Sequence, residues 1–265
     1  MSAPLKIAVS GKGGAGKTTV AAGLCLALEG RGYDVLAMDC DPDANLAGAI
    51  GFPADVHPIR PLSSLTDLIE QRTGVTPGSY GGIFKLNPHV SDIPDTYCCR
   101  HGRIKLLVVD SIDQGGSGCA CPQNVLMKRL VSEVLVSRTE AVVMDMEAGL
   151  EHLGRSTASA VTAMIAVVEP GQRSVATAKS ILKLSADLGI ARAFVIGNRF
   201  RPEDRFFDFV SPHFDGKRTL GCVPFDSGIN EADLAGVGIE QRMAAATRDE
   251  FSRILKRIEE KIRVV

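Results

Sequence analysis

Tryptophan is missing altogether, and only 5% of the residues are aromatic. That leaves little material for the stacking platforms that hold unpaired bases. An excess of one charge is missing too: 30 Lys and Arg face 31 Asp and Glu, a formal net charge of −1, with no block of like sign. Neither nucleic acid nor an acidic membrane is therefore expected as the main partner. No apolar run reaches the ~18 residues of a membrane span, and Met1–Lys6 carries no signal-peptide pattern, so a soluble, cytoplasmic protein is expected. Internal repeats and low-complexity segments are absent as well. What is present is a 45% apolar fraction over 265 residues, enough to bury a large core. One α/β domain spanning residues 1–265 accommodates that length. Seven cysteines in such a chain argue for metal or redox use of some of them and against a disulfide framework.

The most informative stretch lies near the start. Leu5–Ser10 reads as an apolar strand and Thr18–Arg31 as a helix, with Gly11-Lys12-Gly13-Gly14-Ala15-Gly16-Lys17-Thr18-Thr19 between them. Gly11 through Thr18 meets the template G-x-x-x-x-G-K-[ST] of a phosphate-binding loop. Glycines let backbone N–H groups turn inward around a phosphate, and a helix start adds unpaired donors and a positive dipole end. Lys17 then reaches the β/γ-phosphates, and the Thr18 hydroxyl serves Mg²⁺.

Lys12 is a second lysine that the general template does not require. The form K-G-G-x-G-K-T-T resembles the deviant Walker A loop of the family that includes MinD, ParA and the nitrogenase iron protein. The resemblance implies a mostly parallel central sheet flanked by helices, the MinD-like P-loop NTPase fold. It also implies that Lys12 acts in trans on the nucleotide of a partner, so that ATP holds two copies face to face as a homodimer.

Asp34–Met38 is a second apolar strand running into Asp39-Cys40-Asp41-Pro42-Asp43-Ala44-Asn45-Leu46. Alternating apolar strands and helical patterns predict a parallel sheet with ligands at the carboxyl ends of its strands. D-x-D-P-x-x-N-L is similar to the family's switch I. By that likeness Asp41, 24 residues after Lys17, orients the attacking water, and Asp39 lies near the Mg²⁺ water shell. One carboxylate near the γ-phosphate is chemically sufficient for that step.

Further on, Ser63–Arg72 reads as a helix. Thr76–Tyr97 is rich in Gly, Pro, Asn and Asp, and within 76–103 a flexible partner-docking loop or a disordered segment is expected. Cys98 and Cys99 read as partly buried thiols. After an apolar strand at Lys105–Val109 comes a glycine-rich turn ending Gly118-Cys119-Ala120-Cys121-Pro122. Pro122 suits a first helical position, which makes Cys121 the N-cap of a helix through Ser137, where the dipole favours thiolate. Cys119-x-Cys121 supplies two soft ligands, whereas a tetrahedral metal takes four. Two chains related by a twofold axis would supply them; two cysteines in a tight turn is the competing reading.

G-S-G-C-A-C-P-x-N, with Glu147-Ala148-Gly149-Leu150-Glu151-His152-Leu153-Gly154-Arg155 after it, resembles one branch of the family, the CooC-type ATPases that assist nickel insertion into carbon monoxide dehydrogenase and acetyl-CoA synthase. The branch implies Ni²⁺ or Zn²⁺ on Cys119 and Cys121 at a dimer interface, and one of those enzymes as client. In the same frame Asp145, ending the apolar run Ala141–Met144, is the Walker B carboxylate that holds Mg²⁺ through water. Asp145–Gly149 is switch II. His152 is open between a metal or signalling role and a solvated cap.

Strands at Met164–Val168 and Ala193–Ile196 flank a helix over Gln172–Leu188. Asn198, with Arg199, matches the family's adenine reader; an amide can pair with a base edge in both directions. A plain turn residue is the alternative. Leu220–Asp226, with Pro224 and Asp226, resembles the segment that closes over the base. Cys25 and Cys222 read as core. From Thr247, apolar residues at helical spacing predict a docked terminal helix.

Taken together, the expected activity is ATP hydrolysis to ADP by Lys12, Lys17 and Asp41, coupled to metal insertion. Two other classes compete. An iron–sulfur electron-transfer protein is disfavoured because no cysteine follows switch II before Cys222. A MinD/ParA-like positioning ATPase on DNA or membrane is disfavoured by the neutral charge.

Overall fold

The computed structural model describes residues 4–53, 59–78, 83–109, 122–147 and 155–263. Its centre is an eight-stranded sheet in the order β3-β4-β2-β5-β1-β6-β7-β8. The strands are β1 Lys6–Gly11, β2 Val35–Cys40, β3 Cys99–His101, β4 Ile104–Val108, β5 Ala141–Met146, β6 Ala163–Val168, β7 Ala193–Phe200 and β8 Thr219–Pro224. All pair in parallel except β3, an antiparallel edge to β4. This is the mostly parallel, helix-flanked sheet that the sequence predicts.

The helices are α1 Lys17–Gly30, α2 Leu46–Ile50, α3 Thr66–Thr73, α4 Ile93–Tyr97, α5 Pro122–Ser137, α6 Arg155–Ala158, α7 Gln172–Asp187, α8 Phe206–Val210, α9 Ser227–Leu234 and α10 Ala245–Arg263. Because strand side chains alternate between faces, the parallel strands feed two cores. Val35 and Ala37 of β2 join α1, α2 and α10 on one face. Leu36 and Met38 join α3, α5 and α7 on the other. Strands buried on both faces read as continuous apolar runs, which is why β1, β2, β5 and β6 are visible in sequence. The terminal helix docks as its spacing predicts, with Phe251, Ile254, Leu255 and Ile258 buried. Among the described residues, no helix is long and apolar enough to cross a membrane.

Several boundaries differ from expectation. β2 and β5 run on through Asp39 and Asp145, which pair with each other in register. β7 continues past Ile196 to Phe200, so Asn198 and Arg199 lie on a strand rather than in a turn. In each case neighbouring strands offer ladder partners that outweigh the low strand preference of polar residues. The helix expected from Ser63 begins instead with a 3₁₀ turn at Leu62–Ser64, and α3 starts at Thr66. The span expected as a loop carries α4 and β3, short elements below the reach of periodicity.

A candidate nucleotide site at the carboxyl ends of the strands

β1 lies between β5 and β6, and the chain leaves it toward β2 on one side while β6 and β7 follow on the other. A crevice opens at such a switch point beyond the carboxyl ends of the strands. Lys12–Gly16 fills this position and passes directly into α1. Gly14 and Gly16 have φ of 82° and 83°, left-handed values that favour glycine. Ala15 N–H donates to the Lys12 carbonyl at 3.0 Å, closing the loop. Gly13 and Gly14 are exposed and Ala15 is buried. The helix N-terminus has no side-chain cap and no acid in its first turn, so its free N–H groups suit an anion. Thr18 and Thr19 stand half-buried in that turn.

Lys17 is almost covered, and its Nζ lies 3.5 Å from Asp41 Oδ2. Asp39 is fully buried. It accepts Asp41 N–H at 3.2 Å and Leu46 N–H at 2.9 Å. Asp39 thus fastens both ends of the turn that presents Asp41, a task its sequence position does not reveal.

Asp145 is also fully buried, yet neither of its carboxylate oxygens has a hydrogen-bond partner at bonding geometry among the described residues. Burial pushes its pKa up to about 7; the Thr18 hydroxyl and Lys17 oppose this and Asp39 adds to it. An orphaned buried carboxylate beside a hydroxyl and a second carboxylate is a hard-oxygen donor set. Such a set fits Mg²⁺, which takes one or two carboxylates and keeps several waters.

Two groups fasten the phosphate loop from β7. Asn198, 2% exposed, donates its amide to the Ala15 carbonyl at 2.8 Å. Arg199 donates to the Gly14 carbonyl at 2.9 Å from a backbone with φ of 62°. A Cβ on Gly16 would sit 2.1 Å from the Asn198 amide nitrogen. Asn198, Arg199, Pro224 and Asp226 do come together with Thr19 around one crevice, joined by Phe225 of the expected base-side segment and by Ile229 and Asn230, which sequence reasoning missed. The crevice is nearly shut, at about 10 Å³, space for little more than one water. The Arg201 guanidinium carbon sits over the Phe225 ring, 4.9 Å from its centroid. Asp226 caps α9 by accepting Gly228 N–H at 2.9 Å, and it also accepts Ala244 N–H at 2.9 Å.

Lys12 pairs with Glu169, Nζ to Oε1 at 2.8 Å. Glu169 was not anticipated; the available signal was an acid ending the buried strand β6, the pattern that exposed Asp145.

Cys119, Cys121, His152 and Gly149 lie outside the described residues. Among the described residues, no group of three or more His, Cys, Asp and Glu could hold a metal. Cys25 and Cys40 are buried, and burial raises both thiols above their usual range. Cys222 is half-buried and pushed up to about 12. Cys98 and Cys99 are half-buried, as expected.

Comparison with known proteins places this geometry. Residues 6–239 match the CobQ/CobB/MinD/ParA nucleotide binding domain. The chain is 43% identical over 260 residues to the carbon monoxide dehydrogenase accessory protein CooC of Rhodospirillum rubrum, covering 97% of each chain. The protein is a CooC-type member of the MinD/ParA nucleotide-binding family. A second relative, an uncharacterized ATP-binding protein of Methanocaldococcus jannaschii, is 42% identical over 256 residues, covering 95% of this chain and 98% of that one. The family fold is equally evident in the MinC:MinD cell division complex of Aquifex aeolicus, at a TM-score of 0.68 and 20% identity, covering 96% of this chain and 95% of that one.

Proposed function

We propose that this protein is an ATP-hydrolysing metallochaperone, one domain over residues 1–265, that couples closure of a homodimer to nickel insertion into carbon monoxide dehydrogenase or acetyl-CoA synthase in the cytoplasm. The observation that carries this reading is the near full-length match to a carbon monoxide dehydrogenase accessory protein in a chain whose own residues build a phosphate cradle.

In this reading Gly11, Gly13, Gly14, Ala15, Gly16 and Thr19 surround the phosphates with backbone and hydroxyl donors. Lys17 neutralises the charge that develops on the transferring oxygens. Thr18, Asp39 and Asp145 hold Mg²⁺ directly or through water, and the cation supplies further charge neutralisation when bound. Asp41 orients the water that attacks the γ-phosphorus while the bond to the β–γ bridging oxygen breaks. Its present contact with Lys17 supports a position at the γ-phosphate. Asn198, Arg199, Pro224 and Asp226 form the base-side wall, and Lys12 crosses to the partner's nucleotide. Cys119 and Cys121 of two chains supply four thiolates for Ni²⁺ or Zn²⁺. ATP can drive the change only through its differential affinity for open and closed dimers; nucleotides and metal at one seam provide that difference.

Metal stoichiometry tests it. One Ni²⁺ or Zn²⁺ per two chains is expected, abolished by Cys119→Ser with Cys121→Ser. Unchanged binding in that double variant would sink the proposal, as would a chain that stays monomeric with non-hydrolysable ATP, Mg²⁺ and metal all present.

A further inference from the structure

The chain as a whole is nearly neutral, but its cations are not evenly spread. A cleft of about 830 Å³ at the starts of β7 and β8, walled by α10, gathers Arg192, Lys217, Arg218, Arg257 and Lys261 against a single acid, Glu260. Among the described residues, only Arg257 of these five cations has a carboxylate within ion-pair distance, Glu250 at 3.7 Å. Unpaired cations side by side repel one another, and a bound anion would relieve that repulsion.

Three of the guanidinium groups are also held in place by backbone. Arg192 donates to the Ile262 carbonyl at 3.2 Å, Arg218 to Ala193 at 3.5 Å, and Arg257 to Leu220. Each keeps further N–H donors free, since a guanidinium carries five. Anchored arginines lose less freedom when they bind a carboxylate than free side chains would. Phe194, buried under the cleft, adds an apolar floor.

We propose that this cleft is a docking surface for an acidic polypeptide segment of a partner protein. Glu260 decides between polypeptide and polyphosphate. It stands exposed in the cleft, and among the described residues its ion pair is a loose 3.9 Å contact with Lys256. A phosphodiester backbone would be repelled by it and offers it no donor, whereas a peptide brings N–H groups and interspersed lysines. The location is separate from the nucleotide. From Ala193 to Asn198, β7 spans about 17 Å at ~3.3 Å per residue, so the cleft lies at the opposite end of the strands from the phosphate loop. A partner docked there leaves the loop open.

The test uses the full chain with fluorescein-labelled decaglutamate, and the same peptide with one central lysine, read by fluorescence anisotropy at low salt. Binding is expected to weaken with salt and to fall at least about tenfold, roughly 1.4 kcal/mol, in the variant Lys217→Glu/Arg218→Glu/Lys261→Glu. All three positions lie outside the nucleotide site, so ATP affinity should not change. The central lysine should cost less affinity in the native chain than in Glu260→Gln, where its carboxylate partner is gone. Equal peptide binding by the native chain and the charge-reversed variant overturns the proposal. So does tighter binding of duplex DNA or phosphatidylserine vesicles through the same three residues, which would make the cleft a polyphosphate surface. None of these readouts depends on nickel or on ATP hydrolysis, so the cleft and the metallochaperone reading fail or stand separately.

Discussion

The Lys12 ammonium and the Glu169 carboxylate meet at 2.8 Å beside the phosphate loop, one from the loop itself and one from the end of β6. Lys12 is thereby turned onto its own chain. If it serves a partner's nucleotide, this pair opens first. The pair is partly exposed, 37% and 22% at the side chains, so it is worth at most about 1 kcal/mol. Because a twofold dimer opens two such pairs, Glu169→Gln should strengthen ATP-dependent dimerisation by no more than about thirtyfold, measured by sedimentation with a non-hydrolysable analogue. Lys12→Gln should keep nucleotide binding and lose the dimer. A Glu169→Gln chain that dimerises more weakly than the native one would show that Glu169 belongs to the closed interface instead.

Asp145 sets a pH dependence. Its pKa is near 7 in the folded chain against 3.8 unfolded. Between about pH 4 and 7 the folded state keeps a proton that the unfolded state has released, so stability falls as pH rises through that window. Above pH 7 the cost is complete, roughly 4 kcal/mol at ~1.4 kcal/mol per unit. Asp145→Asn should recover about 2 kcal/mol and raise the melting temperature of the nucleotide-free protein by about 4–8 °C at pH 8. The gain should be smaller at pH 5. The same variant should lose the Mg²⁺-dependent part of nucleotide affinity, read by calorimetry with and without Mg²⁺. A lower melting temperature at pH 8 would show that the carboxylate has partners the geometry does not reveal.

Gly16 and Asn198 should behave as a coupled pair. A Cβ at Gly16 strikes the Asn198 amide at 2.1 Å and must also adopt φ of 83°. Asn198→Ala alone removes the bond to Ala15 and should cost about 1 kcal/mol. Gly16→Ala alone should cost more, through clash and left-handed strain together. The double variant should cost less than the sum, because the clash is gone and only the strain remains. Chemical denaturation of the four proteins measures this; strict additivity would refute the contact.

Phe251 anchors α10 against α1. It is 1% exposed, and Gly23 of α1 leaves room for its ring, since a Cβ there would fall 2.3 Å from Phe251 Cζ. Phe251→Ala should destabilise the protein by about 3–5 kcal/mol, seen in thermal melts. Gly23→Ala should destabilise it as well, although alanine is the better helix former.

The strand, phosphate loop and helix that begin the chain were legible because apolar period and glycine spacing are local properties. So were the buried parallel strands, whose apolar runs need no neighbours to be recognised, and the docked helix around Phe251. Thr18, Lys17 and Asp145 could be named from the same local patterns. Tertiary structure decided the rest. Which carboxylate holds the turn and which stands unpartnered followed from the register of Asp39 against Asp145 across two strands far apart in sequence. That Asn198 and Arg199 brace the phosphate loop, that Glu169 meets Lys12, and that five scattered cations share one cleft are consequences of strand order. Strand order is set by the burial of two whole sheet faces at once, a sum over the entire chain that no short segment carries.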